Sequence, residues 1–320
     1  MILKPLENTE LYSDLAESAN DVFSSEGWLS IYGNSLKLVG IYNNDQKLIG
    51  GFYYYQTKKM GASFIKLPPY SPHCGLFHIS DAKNQASLNS TNKEVISEVC
   101  DYLSSQKSKL LVLAFHAKII DLQPFIWSKY KVVPNYTYQI ELSKDLDTIY
   151  SNYDPKNRNK INSCLKQEIV VKENDMSKES MFLFFKQALL SAGANVYEEE
   201  LKNIFHKFSN DKNSFCLSVN VNNKLQGAVF CAYDRNVCYY LFGGMDKNAE
   251  VSGVTNLLLH KSIEKAKSLG CQTFDFEGSM LKGVEKFFRS FGPKLVPYYT
   301  VNKASLPLEI ALKFKKRELF

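Results

Sequence analysis

The sequence is short of the features that mark several specialised classes of protein. Its seven cysteines are few for 320 residues and include no Cys-x-x-Cys pair, which excludes a disulfide scaffold and indicates reduced thiols. The 16 glycines follow no period, which excludes a collagen-like chain. The longest apolar run, 110–115, is far shorter than the roughly 18 residues that a membrane-spanning helix needs. We therefore expect a globular protein without a membrane span.

A large excess of charge of one sign is also missing. Lys and Arg number 39 against 33 Asp and Glu, and the net charge of +6 is too small to indicate a DNA-binding protein. This charge suits anionic small molecules better. The first ten residues carry Lys4, Glu7 and Glu10 and lack the apolar stretch of a secretory signal, so a cytoplasmic location is predicted.

Several catalytic motifs are absent as well. The sequence contains no Gly-x-Ser-x-Gly, no P-loop and no Gly-x-Gly-x-x-Gly, so hydrolases, ATPases and dinucleotide-binding enzymes have no support. His73, Cys74 and His78 lie close together, but their spacing matches no common zinc motif and a fourth ligand is missing. No metal site is predicted.

A weak internal repeat indicates a duplicated α/β unit. Residues 40–55 read GIYNNDQKLIGGFYYY and residues 217–232 read LSVNVNNKLQGAVFCA, and each has the strand, Asn-rich turn and second strand of a β-hairpin. In each half a predicted helix then leads into a buried strand. These segments are 93–106 with 110–115 and 254–269 with 273–276. With 45% hydrophobic residues to form a core, the sequence predicts an α/β fold with mixed sheets and two related domains.

We predict a first domain at 1–150, a second at 151–305 and a basic amphipathic helix at 306–320. The boundary at 151 rests on a change to a basic segment in which Pro155 favours a helix start. The tail mixes apolar residues with the cations Lys313, Lys315, Lys316 and Arg317. Two interpretations of the tail stay open: a last helix that packs on its own domain, and a helix that makes peripheral contact with a membrane surface.

The densest chemical signal is the segment 274–292, FDFEGSMLKGVEKFFRSFG. On a strand, Asp275 and Glu277 share one face while Phe274 and Phe276 point into the core. Two carboxylates then lie at the carboxyl end of a strand, where α/β sheets bind ligands.

The helix predicted after this strand has its apolar residues at i, i+3, i+4 and i+7, which assigns that face to the core. These residues are Val284, Phe287, Phe288 and Phe291. Lys282, Lys286 and Arg289 are then available to an anion or a carbonyl oxygen. The alternative for Arg289 is a surface ion pair with Glu285.

Four segments together resemble the Fem-type (FemABX) aminoacyltransferases and related acetyltransferase-like proteins of the GNAT superfamily. GWLSIYG at 27–33 and KLPPYSP at 66–72 are similar to a tryptophan-containing segment and a proline-rich loop of the first domain. RNKINSCLKQEIVV at 158–171 is similar to the basic helix and strand that open the second domain. The segment 274–292 is the most specific of the four.

The resemblance implies two tandem GNAT-like domains and an amine acceptor that attacks an activated carbonyl. A family lysine thought to steady the donor ester falls on Arg289, which keeps the positive charge and would stabilise the developing oxyanion. A family lysine that helps to hold the acceptor's phosphates falls near Tyr32, where no lysine stands. The identity of the acceptor is therefore open.

Two donors stay open, acyl-CoA and aminoacyl-tRNA, and no permanently bound cofactor is predicted. GNAT enzymes hold the pyrophosphate of CoA in a glycine-containing loop whose N–H groups open a helix. The corresponding segment here, 248–253, matches that loop only at Gly253. This counts against standard CoA binding without excluding it.

The site prediction combines these patterns. Asp275 and Glu277 are the candidate proton acceptors, since the reacting amine must lose a proton, and Arg289 completes the catalytic set. Arg158 and Lys160 are candidates for holding a diphosphate, with a solvated helix face as the alternative. The full set of substrate-binding candidates is Tyr240, Lys282, Ser279, Arg158, Lys160, Pro69 and Tyr70.

The predicted function is an N-acyltransferase of the Fem/GNAT kind. It would move an acyl or aminoacyl group to the amine of an anionic, or lipid-linked, cell-envelope or polysaccharide precursor such as one for peptidoglycan. One alternative is an acetyl-CoA-dependent amino-sugar N-acetyltransferase, and another is a non-catalytic tandem binding module.

Overall fold

The computed structural model describes residues 1–17, 20–278, 280–315 and 319. The chain forms two compact units, one made of Met1–Asn135 with Pro297–Phe320 and one made of Tyr136–Val296. The predicted limits at 150 and 305 differ from these units, because two strands near the limits, 131–141 and 294–304, each begin in one unit and end in the other. No helix in the described ranges is long and apolar enough to cross a membrane.

Unit 1 contains a mixed sheet with helices around it. Its sheet order is β1-β2-β3-β4-β6-β13, and β5 pairs with β3. The strands are β1 (Ile2–Pro5), β2 (Leu36–Tyr42), β3 (Leu48–Lys59), β4 (Ala62–Lys66), β5 (Phe77–His78), β6 (Leu110–Ala114) and the unit 1 part of β13 (Lys294–Ala304). The helices are α1 (Thr9–Glu17), α2 (Glu26–Leu29), α3 (Gln85–Ser105), α4 (Gln123–Trp127) and α11 (Leu306–Lys315).

Unit 2 repeats this plan. Its sheet order is β7-β12-β11-β10-β9-β8. The strands are β7 (Lys131–Glu141, with its second half in this unit), β8 (Val171–Glu173), β9 (Ser214–Val221), β10 (Lys224–Tyr233), β11 (Val237–Met245) and β12 (Thr273–Asp275). The helices are α5 (Leu146–Ser151), α6 (Pro155–Lys166), α7 (Lys178–Ser191), α8 (Glu198–Asn203), α9 (Val254–Ser268) and α10 (Lys282–Arg289).

The correspondence between the units confirms the predicted α/β fold with two related domains. Both predicted hairpins are present, as β2–β3 and β9–β10. In each unit a long helix precedes an inner strand, and that strand runs parallel to one of its neighbours in the sheet: β6 with β4, and β12 with β11. Each sheet therefore has the same mixed strand directions.

The last strand of each sheet comes from an unexpected part of the chain. β7 follows β6 in sequence, yet it pairs with β12 in unit 2, where Gln139 lies opposite Asp275. β13 follows β12, yet its second half pairs with β6 in unit 1, where Thr300 lies opposite Ala114. The two halves of the chain thus exchange one strand, which the local sequence pattern does not reveal.

Each unit has its own hydrophobic core, and apolar side chains are buried on both faces of its sheet. In unit 2 the core includes Leu258 and Ile263 of α9 together with Phe274, Phe276 and Phe288. Burial of each such side chain contributes about 1.5–3 kcal/mol relative to its exposed state. The core holds β12 and α10 in place, and the segment that joins them carries the candidate chemistry.

Candidate functional site

The prediction that Asp275 and Glu277 share one face of a strand is wrong, because β12 ends at Asp275 and Glu277 lies in the turn that follows. The turn still keeps the two residues near each other, since the backbone N–H of Glu277 donates to Asp275. Phe274 and Phe276 are buried in the core, which confirms the predicted alternation, and Asp275 is buried on the other face. The strand ends because Glu277 and Gly278 have positive φ values of 62° and 108°. A glutamate in this left-handed region is unusual and costs about 1–3 kcal/mol, a cost that is concentrated at functional sites in many proteins.

Asp275 is fully engaged by the surrounding structure. Its carboxylate accepts hydrogen bonds from Thr137 Oγ1 at 2.5 Å, Gln139 Nε2 at 2.8 Å and the backbone N–H of Glu277 at 2.8 Å. Burial raises the pKa of Asp275, and these hydrogen bonds oppose the rise. Asp275 therefore holds the shape of the turn, which is the strand-end role, rather than offering a free oxygen.

Glu277 has the properties of a proton acceptor. Its side chain is half-buried, and its Oε1 atom is buried and accepts no hydrogen bond from any residue in the described ranges. Burial raises the pKa of Glu277 well above its ordinary value, and the nearby charge of Asp275 adds to the rise. A raised pKa brings the carboxyl group nearer to the range in which it can take up and release a proton at neutral pH.

Thr137 links the parts of this turn. Its hydroxyl donates to Asp275 and accepts from the backbone N–H of Gly278 at 3.0 Å. Neither Thr137 nor Gln139 was predicted as a site residue, because both lie on β7 and only the pairing of β7 with β12 brings them to Asp275.

A cationic cleft of about 460 Å³ lies between α6, α9 and α10 within unit 2. Four cations and one acid line the cleft, and two buried asparagines connect its walls. Asn157 Nδ2 donates to the carbonyl of Ser290 at 3.1 Å. Asn256 Nδ2 donates to Asn157 Oδ1 at 2.9 Å. The charged residues are Lys156, Lys160, Lys286, Arg289 and Asp154. This arrangement suits an anionic group such as a phosphate.

The start of α6 explains how Lys160 reaches this cleft. Asp154 caps the helix by accepting from the backbone N–H of Lys156 at 2.8 Å, and Pro155 occupies the first turn. One turn further on, Lys160 packs against Gly253, where an added Cβ would lie 3.1 Å from Lys160 Cβ. Gly253, with a φ of 89°, therefore permits α6 to approach the start of α9.

The loop before α9 uses its N–H groups internally. The backbone N–H groups of Glu250 and Val251 donate to Gln226 Oε1 at 2.7 and 3.3 Å. Gln226 is buried on β10. These two N–H groups are therefore already bonded within the protein.

Arg289 forms the surface ion pair that was the alternative prediction. Its Nε donates to Glu285 Oε1 at 2.8 Å, and 62% of its side chain is exposed. Glu285 also accepts a hydrogen bond from Tyr138 at 2.7 Å. Within the described part of the chain, Arg289 has no hydrogen bond to Asp275 or Glu277, although its side chain lines the cationic cleft.

Comparisons with known proteins place this geometry in a family of folds. Residues 177–289 match the Acetyltransferase (GNAT) domain family, which is about a third of the chain. The crystal structure of FemX matches with a TM-score of 0.69 and 12% identity, covering 98% of this chain and 99% of that one. The chain has a Fem-like GNAT fold.

Two further solved structures share this Fem-like GNAT fold. L-PGS from Bacillus licheniformis matches with a TM-score of 0.55 and 11% identity, covering 96% of both chains. A tandem GNAT protein from the clavulanic acid biosynthesis pathway matches with a TM-score of 0.54 and 8% identity, covering 94% of this chain and 98% of that one. No curated protein matches the sequence. The findings therefore give the chain an acyltransferase fold of the GNAT type without identifying a substrate.

The other predicted residues of unit 2 are dispersed around the turn after β12 and the cationic cleft. Tyr240 is half-buried on β11, its ring lies 5.6 Å from that of Phe288, and burial raises the pKa of its hydroxyl. Lys282 is exposed at the start of α10. Arg158 is half-buried on α6 but does not line the cationic cleft, unlike Lys160. Ser279 lies outside the described residues.

In unit 1, the two segments that resemble the Fem family contact each other. Tyr32 donates to the carbonyl of Pro69 at 2.7 Å, and Trp28 Nε1 donates to Ser71 Oγ at 2.8 Å. Pro69 is therefore buried, and Tyr70 beside it is half-buried with a φ of 67°. The proline-rich loop is thus held in place by the tryptophan-containing segment of the same GNAT-like unit.

Sequence reasoning also missed a buried polar cluster in unit 1. Asp21 Oδ1 lies 3.7 Å from His73 Nε2, and the ring of His116 contacts that of His73 at 5.0 Å between centroids. Burial lowers the pKa of both histidines to about 3, so both rings are neutral. Among the described residues, no group of three or more His, Cys, Asp or Glu side chains has the geometry to hold a metal ion.

Proposed function

We propose that the protein is an N-acyltransferase that transfers an acyl or aminoacyl group to the amine of an anionic cell-envelope or polysaccharide precursor in the cytoplasm. The observation that carries the proposal is Glu277, a half-buried carboxylate with a raised pKa in the turn that follows β12, an inner strand of a GNAT-type fold. The cationic cleft in the same unit supports an anionic substrate.

The proposed reaction is direct acyl transfer. The amine nitrogen of the acceptor attacks the carbonyl carbon of the donor, a C–N bond forms, and the C–S or C–O bond to the donor's leaving group breaks. Glu277 takes the proton that the amine loses, and the leaving group is released as a thiol or hydroxyl after it is protonated. Asp275 is a positioning residue that keeps the turn and hence Glu277 in place.

The cationic cleft is proposed to hold the anionic part of a substrate. Lys160, Lys286 and Arg289 converge there from two helices that are far apart in sequence. Because Arg289 already pairs with Glu285, we propose that the lysines bind the anion first and that Arg289 contributes its remaining guanidinium N–H groups. Arg158, Tyr240, Lys282 and Ser279 stay candidates for contacts to the rest of the substrate.

The donor is proposed to be acyl-CoA or aminoacyl-tRNA. The internal hydrogen bonds of the Glu250 and Val251 N–H groups favour a donor that is not held by the standard pyrophosphate loop. The resemblance to the Fem-type aminoacyltransferases favours aminoacyl-tRNA as the donor. The acceptor is a small anionic or lipid-linked molecule, and a peptidoglycan precursor fits the resemblance to FemX.

Thermal-shift titration with acetyl-CoA and CoA tests whether the protein binds a CoA donor and whether the cationic cleft contributes to that binding. A ligand at a hundredfold excess over its Kd adds about 2.7 kcal/mol of stability, which is easily measured. The variant Lys160→Gln removes a cleft cation, and Lys166→Gln on the same helix is the matched control because Lys166 is exposed outside the cleft. We expect Lys160→Gln alone to weaken any CoA-dependent shift. No shift for the parent protein would make aminoacyl-tRNA the donor to assay.

A second candidate is a non-catalytic tandem module that binds an envelope or polysaccharide partner. The exposed Arg289–Glu285 pair favours this candidate, because in the described ranges the arginine bonds to Glu285 and not to Asp275 or Glu277. Labelled acyl transfer from each donor to amine acceptors, amino sugars included, separates the two. Transfer that is lost in Glu277→Gln supports catalysis, while unchanged ligand binding with no transfer by the parent protein supports the binding module.

A further inference from the structure

The helix α11 has two apolar faces. Leu308 and Leu312 are half-buried and form the face that packs on unit 1, although no residue of the helix is fully buried. Leu306, Ile310 and Phe314 recur every four residues, which places them in a stripe about 180° around the helix from the packed pair. A helix that only packs on its own domain needs one apolar face.

The second face is unusually exposed. Leu306 is 71% exposed, Ile310 is 50% exposed and Phe314 is 87% exposed. Single exposed apolar residues are normal on a protein surface, but three large ones on one side of a short helix form a continuous patch. Such a patch indicates a binding surface for something outside the chain.

Positive charge accompanies this patch. Lys313 and Lys315 are exposed on the last turn of the helix, and Lys316 and Arg317 follow directly in the sequence. Glu309 is the one acid of the helix and pairs with Lys313 at 2.9 Å. Large apolar residues beside a cluster of Lys and Arg are the combination that fits the boundary of an anionic lipid bilayer.

We propose that α11 docks on the surface of an anionic lipid bilayer, with Leu306, Ile310 and Phe314 inserted among the lipids and Lys313 and Lys315 over the headgroups. The inference goes beyond the proposed function, because it concerns where the protein works rather than what it transfers. The helix is about 15 Å long at 1.5 Å per residue, so it lies along the surface. Binding of this kind is weak and reversible.

Co-sedimentation of the whole protein with vesicles tests the proposal. We expect binding to vesicles of phosphatidylcholine mixed with phosphatidylglycerol, weaker binding at high salt, and little binding to phosphatidylcholine alone. Phe314→Ser should lower the partition coefficient about tenfold through lost apolar burial. Lys315→Gln should lower it about fivefold on the mixed vesicles.

Met60→Ser is the matched control. Met60 is 98% exposed in the turn between β3 and β4 of the same unit, so its removal takes away a similar apolar side chain outside α11. The partition coefficient of this variant should equal that of the parent protein. All three substitutions are at exposed positions, and circular dichroism should confirm that the variants keep their fold.

Two results would overturn the proposal. One is the absence of binding to the mixed vesicles at low salt, or binding that Phe314→Ser leaves unchanged. The other is self-association of the parent protein that Phe314→Ser abolishes, because the patch would then meet a second copy of the chain. Neither result bears on acyl transfer, since Phe314 and Lys315 lie outside unit 2.

Discussion

Glu277 combines three unfavourable conditions in one residue. Its backbone has a φ of 62°, its carboxylate is partly removed from water, and the charge of Asp275 is nearby. The backbone strain costs free energy in either protonation state. Burial and the charge of Asp275 disfavour the ionised form and so raise the pKa of Glu277. Residues with a strongly shifted pKa are concentrated at functional sites, where their proton chemistry offsets the loss of stability.

The stability of the protein should show this cost as a dependence on pH. Because the pKa of Glu277 is raised in the folded state, its ionisation has no effect on the free energy of unfolding below the unfolded pKa of about 4.3. Above that pH it increasingly destabilises the folded state, until the pH exceeds the folded pKa. Glu277→Gln removes the ionisation. We expect the variant to become steadily more stable than the parent protein between pH 4 and neutral pH in urea titrations. A constant difference over this range would contradict the raised pKa.

Thr137 offers a second test at the residue scale. Thr137→Val keeps the shape of the side chain but removes the hydroxyl that joins Asp275 to the N–H of Gly278, so we expect a loss of about 1–3 kcal/mol in the free energy of unfolding. Thr273→Val on β12 is the control, and it should change stability by less than about 0.5 kcal/mol. Acyl transfer, once assayed, should fall in Thr137→Val and not in the control.

At the scale of elements, the packing of α6 on α9 shapes the cationic cleft. Lys160 and Cys164 of α6 lie against Gly253, and Asn157 accepts from Asn256. The cleft exists because these helices approach closely at one end, while α10 supplies Lys286 and Arg289 from the other side. A change that separates the helices should therefore affect anion binding without removing a charge.

Gly253→Ala tests whether the close packing of α6 on α9 shapes the cleft, and Gly270→Ala is the control. Both glycines have φ values near 90°, so both variants carry the strain of a positive φ, but a Cβ at 253 meets Lys160 at 3.1 Å while a Cβ at 270 meets open space. We expect Gly253→Ala to lower the free energy of unfolding more than the control, by about 1 kcal/mol or more. It should also weaken pyrophosphate binding in calorimetry. Equal losses would mean that the contact with Lys160 is unimportant.

At the scale of the whole molecule, the exchanged strands make each unit depend on a distant part of the sequence. The second half of β13 completes the sheet of unit 1, and its residue Val301 is fully buried opposite Leu113. Unit 1 is therefore incomplete until the C-terminal segment of the chain is present, although most of its residues come first.

Val301→Ala should accordingly destabilise unit 1. Both tryptophans, Trp28 and Trp127, lie in unit 1, so tryptophan fluorescence reports on that unit alone. We expect the free energy of unfolding followed by fluorescence in urea to fall by about 2–3 kcal/mol, from lost burial and the cavity left behind. Leu295→Ala, at a half-exposed position of the same strand, should have a much smaller effect. Equal effects would show that β13 is not part of the unit 1 core.

The sequence by itself determined the local elements and their faces. The alternation in Phe274, Asp275 and Phe276 predicts which side chains enter the core, and the apolar spacing in 284–291 predicts the helix α10. The predicted core face of this helix is only partly correct, because Phe288 and Phe291 are buried while Val284 is 39% exposed. Hairpins are equally readable, because their turns and strands are neighbours in sequence. These features depend on the period of strands and helices, which is a property of short segments.

Only the tertiary structure decided how these elements meet. The pairing of β7 with β12 brings Thr137 and Gln139 to Asp275, and helix packing brings Lys160 into a cleft with Arg289. It also decided that Phe314 remains exposed. Such contacts join residues that are distant in sequence or depend on the space left by other elements. No local pattern encodes them, because their free energy arises only when the core has formed.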